Sequence, residues 1–126
     1  MNTVNVRKVE IGKGIPKICV PVVGITRDDI IDAACKAKET ADLVEWRADW
    51  YEDVLDFKKT EKMMEELRET LGDIPLLFTF RTLKEGGEKE IEKSVYVKLN
   101  EMAVKTGFAD LVDAEAFTGT DEVNTI

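Results

Sequence analysis

Four short apolar runs, each followed by a stretch of helical periodicity, leave this chain few architectures to choose from. The runs KICVPVVG, LVEWRAD, PLLFTF and DLVDAEAF begin near Ile18, Leu43, Leu76 and Asp110, about 25, 33 and 34 residues apart. Such intervals are the length of a strand plus its crossover helix in a parallel sheet. Between the runs, Thr26 and Asp29 have capping-box spacing and open a stripe of Ile30, Ile31, Ala34, Ala37 and Ala41. Met64, Leu67 and Leu71 form the next stripe, stopped by Gly72; Ile91, Val95, Leu99 and Met102 form a third, stopped by Gly107. ADLVEW at 41–46 and ADLVDA at 109–114 echo each other weakly, as a duplicated unit would.

Ahead of the units, VNVRKVEIG alternates apolar and polar residues around Arg7 and Lys8, which predicts a short β-hairpin over about 3–12. The expected organisation is one domain over 1–126, with units at about 18–41, 43–72, 76–107 and 110–126. The last unit reads as cut short: Thr120 is placed to cap a helix, acidic residues fill a first turn, and little follows. The chain thus reads as part of something larger.

Composition narrows the function. Of 126 residues, 44% are hydrophobic and 35% charged, a globular balance. Eighteen basic against 26 acidic residues give a net charge of −8, which argues against nucleic acid and anionic membrane surfaces as partners. No apolar run has bilayer-spanning length and the first residues carry no secretory pattern, so a cytoplasmic location is expected. The two cysteines, Cys19 on a strand and Cys35 on a helix, read as reduced, buried, small apolar residues. With no histidine and no cysteine cluster, neither a zinc site nor Cys-His or Ser-His catalysis is expected within the chain.

Alternation along the strands sorts the charged residues onto one face. Glu45 and Arg47 share a side opposite Val44 and Trp46; Thr79 and Arg81 oppose Phe78 and Phe80; Asp113 and Glu115 oppose Val112 and Ala114. A doubly wound sheet carries helices on both faces and has little use for a polar stripe. A barrel has a lumen whose mouth, at the C-terminal ends of its strands, is where ligands bind. A flavodoxin-like domain is disfavoured further by GITRDD, whose single glycine and two acids follow the first parallel strand where a phosphate grip is needed. The stripe leaves two readings of Arg81 open: a ligand contact at a barrel mouth, or a structural ion pair with Glu45 beneath a loop. Gly86 and Gly87 read as a turn that folds the loop over the mouth, and Lys84, Lys89 and Lys93 as surface charges.

In this order and spacing, PKICVPV, LVEWRAD, PLLFTFRT followed by EGGE, and DLVDAEAF resemble the N-terminal half of type I 3-dehydroquinate dehydratases. The combination of EWR with LLFTFR and EGG carries most of the specificity. The resemblance implies a (β/α)8 barrel, here a half-barrel of four units behind an N-terminal hairpin, from a cofactor-free and metal-free homodimeric lyase of the shikimate pathway. Such enzymes remove water from 3-dehydroquinate to give 3-dehydroshikimate through a lysine Schiff base, with a histidine moving protons. By the same resemblance Glu45, Trp46, Arg47 and Arg81 are substrate-binding residues, and Glu85 is the acid that orients the histidine; a solvated loop carboxylate is the other reading of Glu85. The family's lysine and histidine have no counterpart in these 126 residues, so the chain alone is expected to be catalytically silent. Its partners are expected to be 3-dehydroquinate and either a second copy, pairing two half-barrels, or a separate C-terminal half. A monomer that covers its own edges, and a non-catalytic scaffold or polyol-binding module, are the alternatives.

Overall fold

The computed structural model describes residues 2–126. Strands β1 (Val4–Val6) and β2 (Val9–Ile11) form an antiparallel hairpin, with Val4 opposite Ile11 and Val6 opposite Val9. The chain then alternates β3 (Cys19–Val22), α1 (Arg27–Ala37), β4 (Leu43–Arg47), α2 (Phe57–Leu71), β5 (Leu76–Thr79), α3 (Lys93–Thr106) and β6 (Leu111–Val112). A six-residue helix, α4 (Thr120–Thr125), ends it. The sheet runs β3-β4-β5-β6, all parallel and in chain order. No strand order reverses, so the switch point of a doubly wound sheet is missing among the described residues.

Helix packing explains why one face of the sheet is buried along its whole length. Val22, Val44, Trp46, Leu76 and Phe78 are fully buried and join Ile30, Ala34, Met63, Met64, Leu67, Leu99 and Ala103 of α1, α2 and α3 in one core. The edge of Trp46 meets Phe78 with centroids 5.6 Å apart, and burying each such side chain contributes roughly 1.5–3 kcal/mol. Residues of the other face are mostly more open: Cys19 and Pro21 are exposed and Glu45, Arg47 and Leu77 half-buried, although Leu43 and Thr79 are buried there. One helix-covered face and one open face, on sequential parallel strands, is the arrangement of half a (β/α)8 barrel.

Local signals place the helix ends. Thr26 Oγ1 accepts from the Asp29 N–H at 3.3 Å, and Asp56 caps α2 by accepting from the Lys59 N–H at 3.3 Å. Gly72 and Gly107 end α2 and α3 as expected. Several other expectations need correction. Cys19 and Cys35 are both exposed, not buried: Cys19 lies on the open face of β3, and Cys35 on the outer side of α1 beside buried Ala34. Ile91 precedes α3, whose buried face is Tyr96, Leu99, Asn100 and Ala103 rather than the stripe through Val95 and Met102. Gly119 caps α4, with Thr120 as its first residue, and Ala41 lies beyond the end of α1. Of DLVDAEAF only Leu111 and Val112 pair as strand, because the chain then curls into a short 3-10 turn at Ala116–Thr118.

At the N-terminal ends of the strands, Asp110 fastens the hairpin to the sheet. Its carboxylate accepts from Arg7 Nε at 2.8 Å, Arg68 Nη1 at 2.9 Å and the Leu76 N–H at 2.9 Å. Arg68 also donates to the carbonyls of Gly72, Ile74 and Phe108. Burial, and then the Arg7 charge, push its guanidinium below the ordinary value. The opposite end of the sheet is left free for other work.

Candidate functional site

The parallel register sets the site. Glu45 lies beside Leu77 and Arg47 beside Thr79, so side chains at the ends of β4 and β5 emerge on the open face together. Thr79 donates its hydroxyl hydrogen to Glu45 Oε2 at 2.8 Å, fixing that carboxylate from the neighbouring strand. Arg81, just past β5, reaches the next strand instead. Its Nη1 donates to Glu115 Oε2 at 2.9 Å and its Nη2 to Asp113 Oδ2 at 3.0 Å. The structural pair weighed from sequence, Arg81 with Glu45, is therefore not the one formed. Two carboxylates from the segment that follows β6, Asp113 and Glu115, hold the guanidinium in a fork. Burial works to lower the Arg81 pKa, and the hydrogen bonds and charges of Asp113 and Glu115 outweigh it, raising it well above the ordinary value.

Glu115 is itself pinned. Its Oε1 accepts from Thr82 Oγ1 at 2.7 Å, its Oε2 from the Thr82 N–H at 3.1 Å, and its own N–H donates to Tyr96 Oη at 2.9 Å. Tyr96, on the buried face of α3, was not singled out by the sequence. An aromatic one position off an apolar stripe gives no signal of this role.

Arg47 turns to a residue that sequence reasoning also passed over. Asp49, fully buried in the 3-10 turn Ala48–Trp50, accepts from Arg47 Nε at 3.0 Å and Nη2 at 2.9 Å. That hydrogen bonding, more than Coulomb attraction, holds the Arg47 pKa above its ordinary value. The acid in WRAD was legible only as the residue two after an arginine.

The 82–89 loop closes on its own base. Gly87 N–H donates to the Thr82 carbonyl at 2.8 Å, and Leu83 N–H to the Lys89 carbonyl at 3.0 Å. A Cβ on Gly87 would stand 1.7 Å from the Arg81 carbonyl oxygen, so only glycine permits this approach. The glycine pair does lie in a turn. Lys89, expected at the surface, is half-buried, and its Nζ donates to the Asp49 and Tyr51 carbonyls, at 2.6 and 3.0 Å. Glu85 sits exposed on the short 3-10 turn Leu83–Glu85.

Glu45, Arg47 and Arg81 are therefore brought onto one wall, joined by Thr79, Asp113 and Glu115. Trp46 is not brought there: it is fully buried between sheet and helices, on the face opposite Glu45. The wall is open rather than a closed pocket. A cavity of about 510 Å³ lies between the loop and the start of α3, lined by Thr82, Lys84, Glu92, Tyr96 and Phe117 among others, and touches none of the three.

This geometry can be set beside known proteins. A family model described as type I 3-dehydroquinase matches residues 18–126. The chain belongs to this family. It is 52% identical over 124 residues to a 3-dehydroquinate dehydratase of Clostridium botulinum (strain Eklund 17B / Type B), with 98% of this chain and 49% of that protein covered. A Bacillus licheniformis 3-dehydroquinate dehydratase is 46% identical with the same coverage. Among solved structures, the type I 3-dehydroquinate dehydratase of Clostridium difficile, with covalently modified comenic acid, superposes with a TM-score of 0.96 at 43% identity, covering 98% of this chain and 49% of that one. The Enterococcus faecalis 3-dehydroquinate dehydratase gives 0.90 at 45% identity, covering 97% and 51%. The chain spans about half the length of the curated relatives it matches.

Proposed function

We propose that this chain forms the substrate-binding wall of a 3-dehydroquinate dehydratase, a lyase that converts 3-dehydroquinate to 3-dehydroshikimate and water in the shikimate pathway. The observation that carries this reading is the fork of Asp113 and Glu115 on Arg81, next to Glu45 and Arg47, on the open face of parallel strand ends. A hydroxylated ring needs charged donors and acceptors fixed on rigid elements, and these side chains offer both. Glu45 and the free N–H groups of Arg47 and Arg81 bind ring oxygens; Glu85 orients a histidine that these 126 residues do not contain. In the reaction implied by the family, a lysine amine condenses with the substrate ketone and the iminium draws electrons from the neighbouring C–H bond. The histidine takes that proton, hydroxide leaves as water, and hydrolysis of the imine frees the product. No lysine on this wall is in place to serve. The 126 residues therefore dehydrate nothing by themselves.

Complementation tests this. The chain is mixed with the separately produced remaining segment of the Clostridium botulinum relative, and conjugated-enone absorbance is followed after adding 3-dehydroquinate. Neither part alone should give a signal, and the mixture should. Arg81→Met in the mixture should slow it about 10²-fold, the size of effect that misplacing a substrate produces. Demonstrated association of the parts without any absorbance change would refute the reading.

A second proposal concerns assembly, because β3 and β6 each have a single strand neighbour. Such edges recruit further strands. Ile18, Val23 and Ile25, about half exposed, flank the β3 edge. Four more strands, from a second copy in a homodimer or from a separate C-terminal segment, would close the barrel in the cytoplasm. No described helix is long and apolar enough to cross a membrane. Light scattering that gives a monomer mass at high concentration would rule out the homodimer.

A further inference from the structure

Asp49 is the one fully buried carboxylate of the described residues, and its hydrogen bonds link three separate parts of the wall. Each oxygen accepts twice. Oδ1 takes Arg47 Nε at 3.0 Å and the Arg81 N–H at 3.2 Å; Oδ2 takes Arg47 Nη2 at 2.9 Å and the Glu88 N–H at 3.1 Å. These fill the acceptor sites of a carboxylate. A buried anion is tolerable only when paired and hydrogen-bonded in this way, so the arrangement is specified rather than incidental. The backbone carbonyl of the same residue accepts from Lys89 Nζ. One residue after β4 thus grips a side chain of β4, the main chain at the end of β5, and both the main chain and a side chain of the 82–89 loop.

We propose that Asp49 is a positioning residue that locks the Arg47 guanidinium, the Arg81 backbone and the 82–89 loop into one rigid unit. Its consequence for function rests on the substrate-wall reading above: the loop carrying Glu85 is fixed in advance relative to Arg47, rather than closing as an independent lid. The bidentate grip leaves Arg47 its remaining N–H groups for a ligand and prevents the guanidinium from swinging away. Prepaid ordering of this kind is what a binding site gains from support behind its contact residues.

Asparagine at position 49 is a sharp probe because it keeps the shape. Whichever way its amide lies, an NH2 group replaces one oxygen and faces two N–H donors, either Arg47 Nη2 with Glu88 or Arg47 Nε with Arg81. The experiment is hydrogen exchange by NMR on the 126-residue chain, following arginine Nε–H signals and backbone amides, without substrate. In the unaltered chain Arg47 Nε–H should exchange about tenfold or more slowly than Arg27 Nε–H, which is paired with Glu66 on exposed surface. In Asp49→Asn one pair of donors loses its acceptor directly, and because the three segments form one unit the protection of Arg47 Nε–H and of the Arg81 and Glu88 amides should fall together, while the Val44 amide, bonded to the Pro75 carbonyl, keeps its own. Lys89→Met, which removes the ammonium strap and leaves the carboxylate, should preserve the Arg47 signal. Equal exchange of Arg47 and Arg27 in the unaltered chain overturns the proposal and needs no folded variant. Loss of Arg47 protection in Asp49→Asn with the two amides unchanged overturns it as well. Because no readout involves 3-dehydroquinate, a failed complementation assay and a failed exchange experiment refute different statements.

Discussion

Arg81 and Glu115 meet at 2.9 Å across the β5–β6 boundary, with the Glu115 side chain only 5% exposed and that of Arg81 26%. The asymmetry decides which partner matters for stability. Removing the guanidinium strands a buried anion that retains only the two donors of Thr82.

Arg81→Met should therefore cost about 2–3 kcal/mol. Asp113→Asn, on a side chain 30% exposed, should cost no more than about 1 kcal/mol. Urea denaturation of the two variants measures both, and equal losses would mean that stranding buried Glu115 does not set the cost.

Cys19 offers a reporter of Glu45. Partial burial first, and the Glu45 charge second, hold the thiol above its ordinary value. The pH at which Cys19 alkylation reaches half its maximal rate should therefore lie above that of a free cysteine measured alongside. Glu45→Gln should bring that midpoint down without restoring the ordinary value, because the larger cause remains. A midpoint unmoved by Glu45→Gln would place the carboxylate too far away to matter.

Two glycines should respond differently to alanine. Gly72 has a φ of 60° and open space around its missing Cβ, so Gly72→Ala should cost about 1 kcal/mol of backbone strain. At Gly87 the new Cβ would overlap the Arg81 carbonyl, so the loop must move; the cost should be at least about 2 kcal/mol. Trypsin should then cut at Lys84 or Lys89 in Gly87→Ala before it does in Gly72→Ala.

At the far end of the sheet, Asp110→Ala should cost about 3 kcal/mol, since three donors lose their acceptor and Arg68 is left nearly buried without its counterion. Asp73→Asn removes a pair with exposed Lys8 and a longer one, 3.5 Å, with Arg7, on a carboxylate 61% exposed, and should change the melting temperature little. A large effect at Asp73 would show that the hairpin is held there instead.

Much of this was legible in the chain. The strand intervals, the stripe of Met64, Leu67 and Leu71, the Thr26 cap and the stops at Gly72 and Gly107 are local signals, and local signals survive folding. Strand alternation sorted Glu45, Arg47 and Arg81 from Trp46, although the family resemblance had grouped Trp46 with them; its burial follows the alternation. The motifs that carried the family resemblance are read directly from residue order.

What tertiary structure alone decided is who bonds to whom. Register between strands, not sequence distance, gave Glu45 to Thr79 and Arg81 to Asp113 and Glu115, each pair more than thirty residues apart. Burial made Asp49 and Lys89 parts of the site, since a charge withdrawn from water must find partners wherever the fold supplies them. A chain can declare by itself which faces are apolar and where its helices stop. Partners for buried polar groups exist only once the strands have come together.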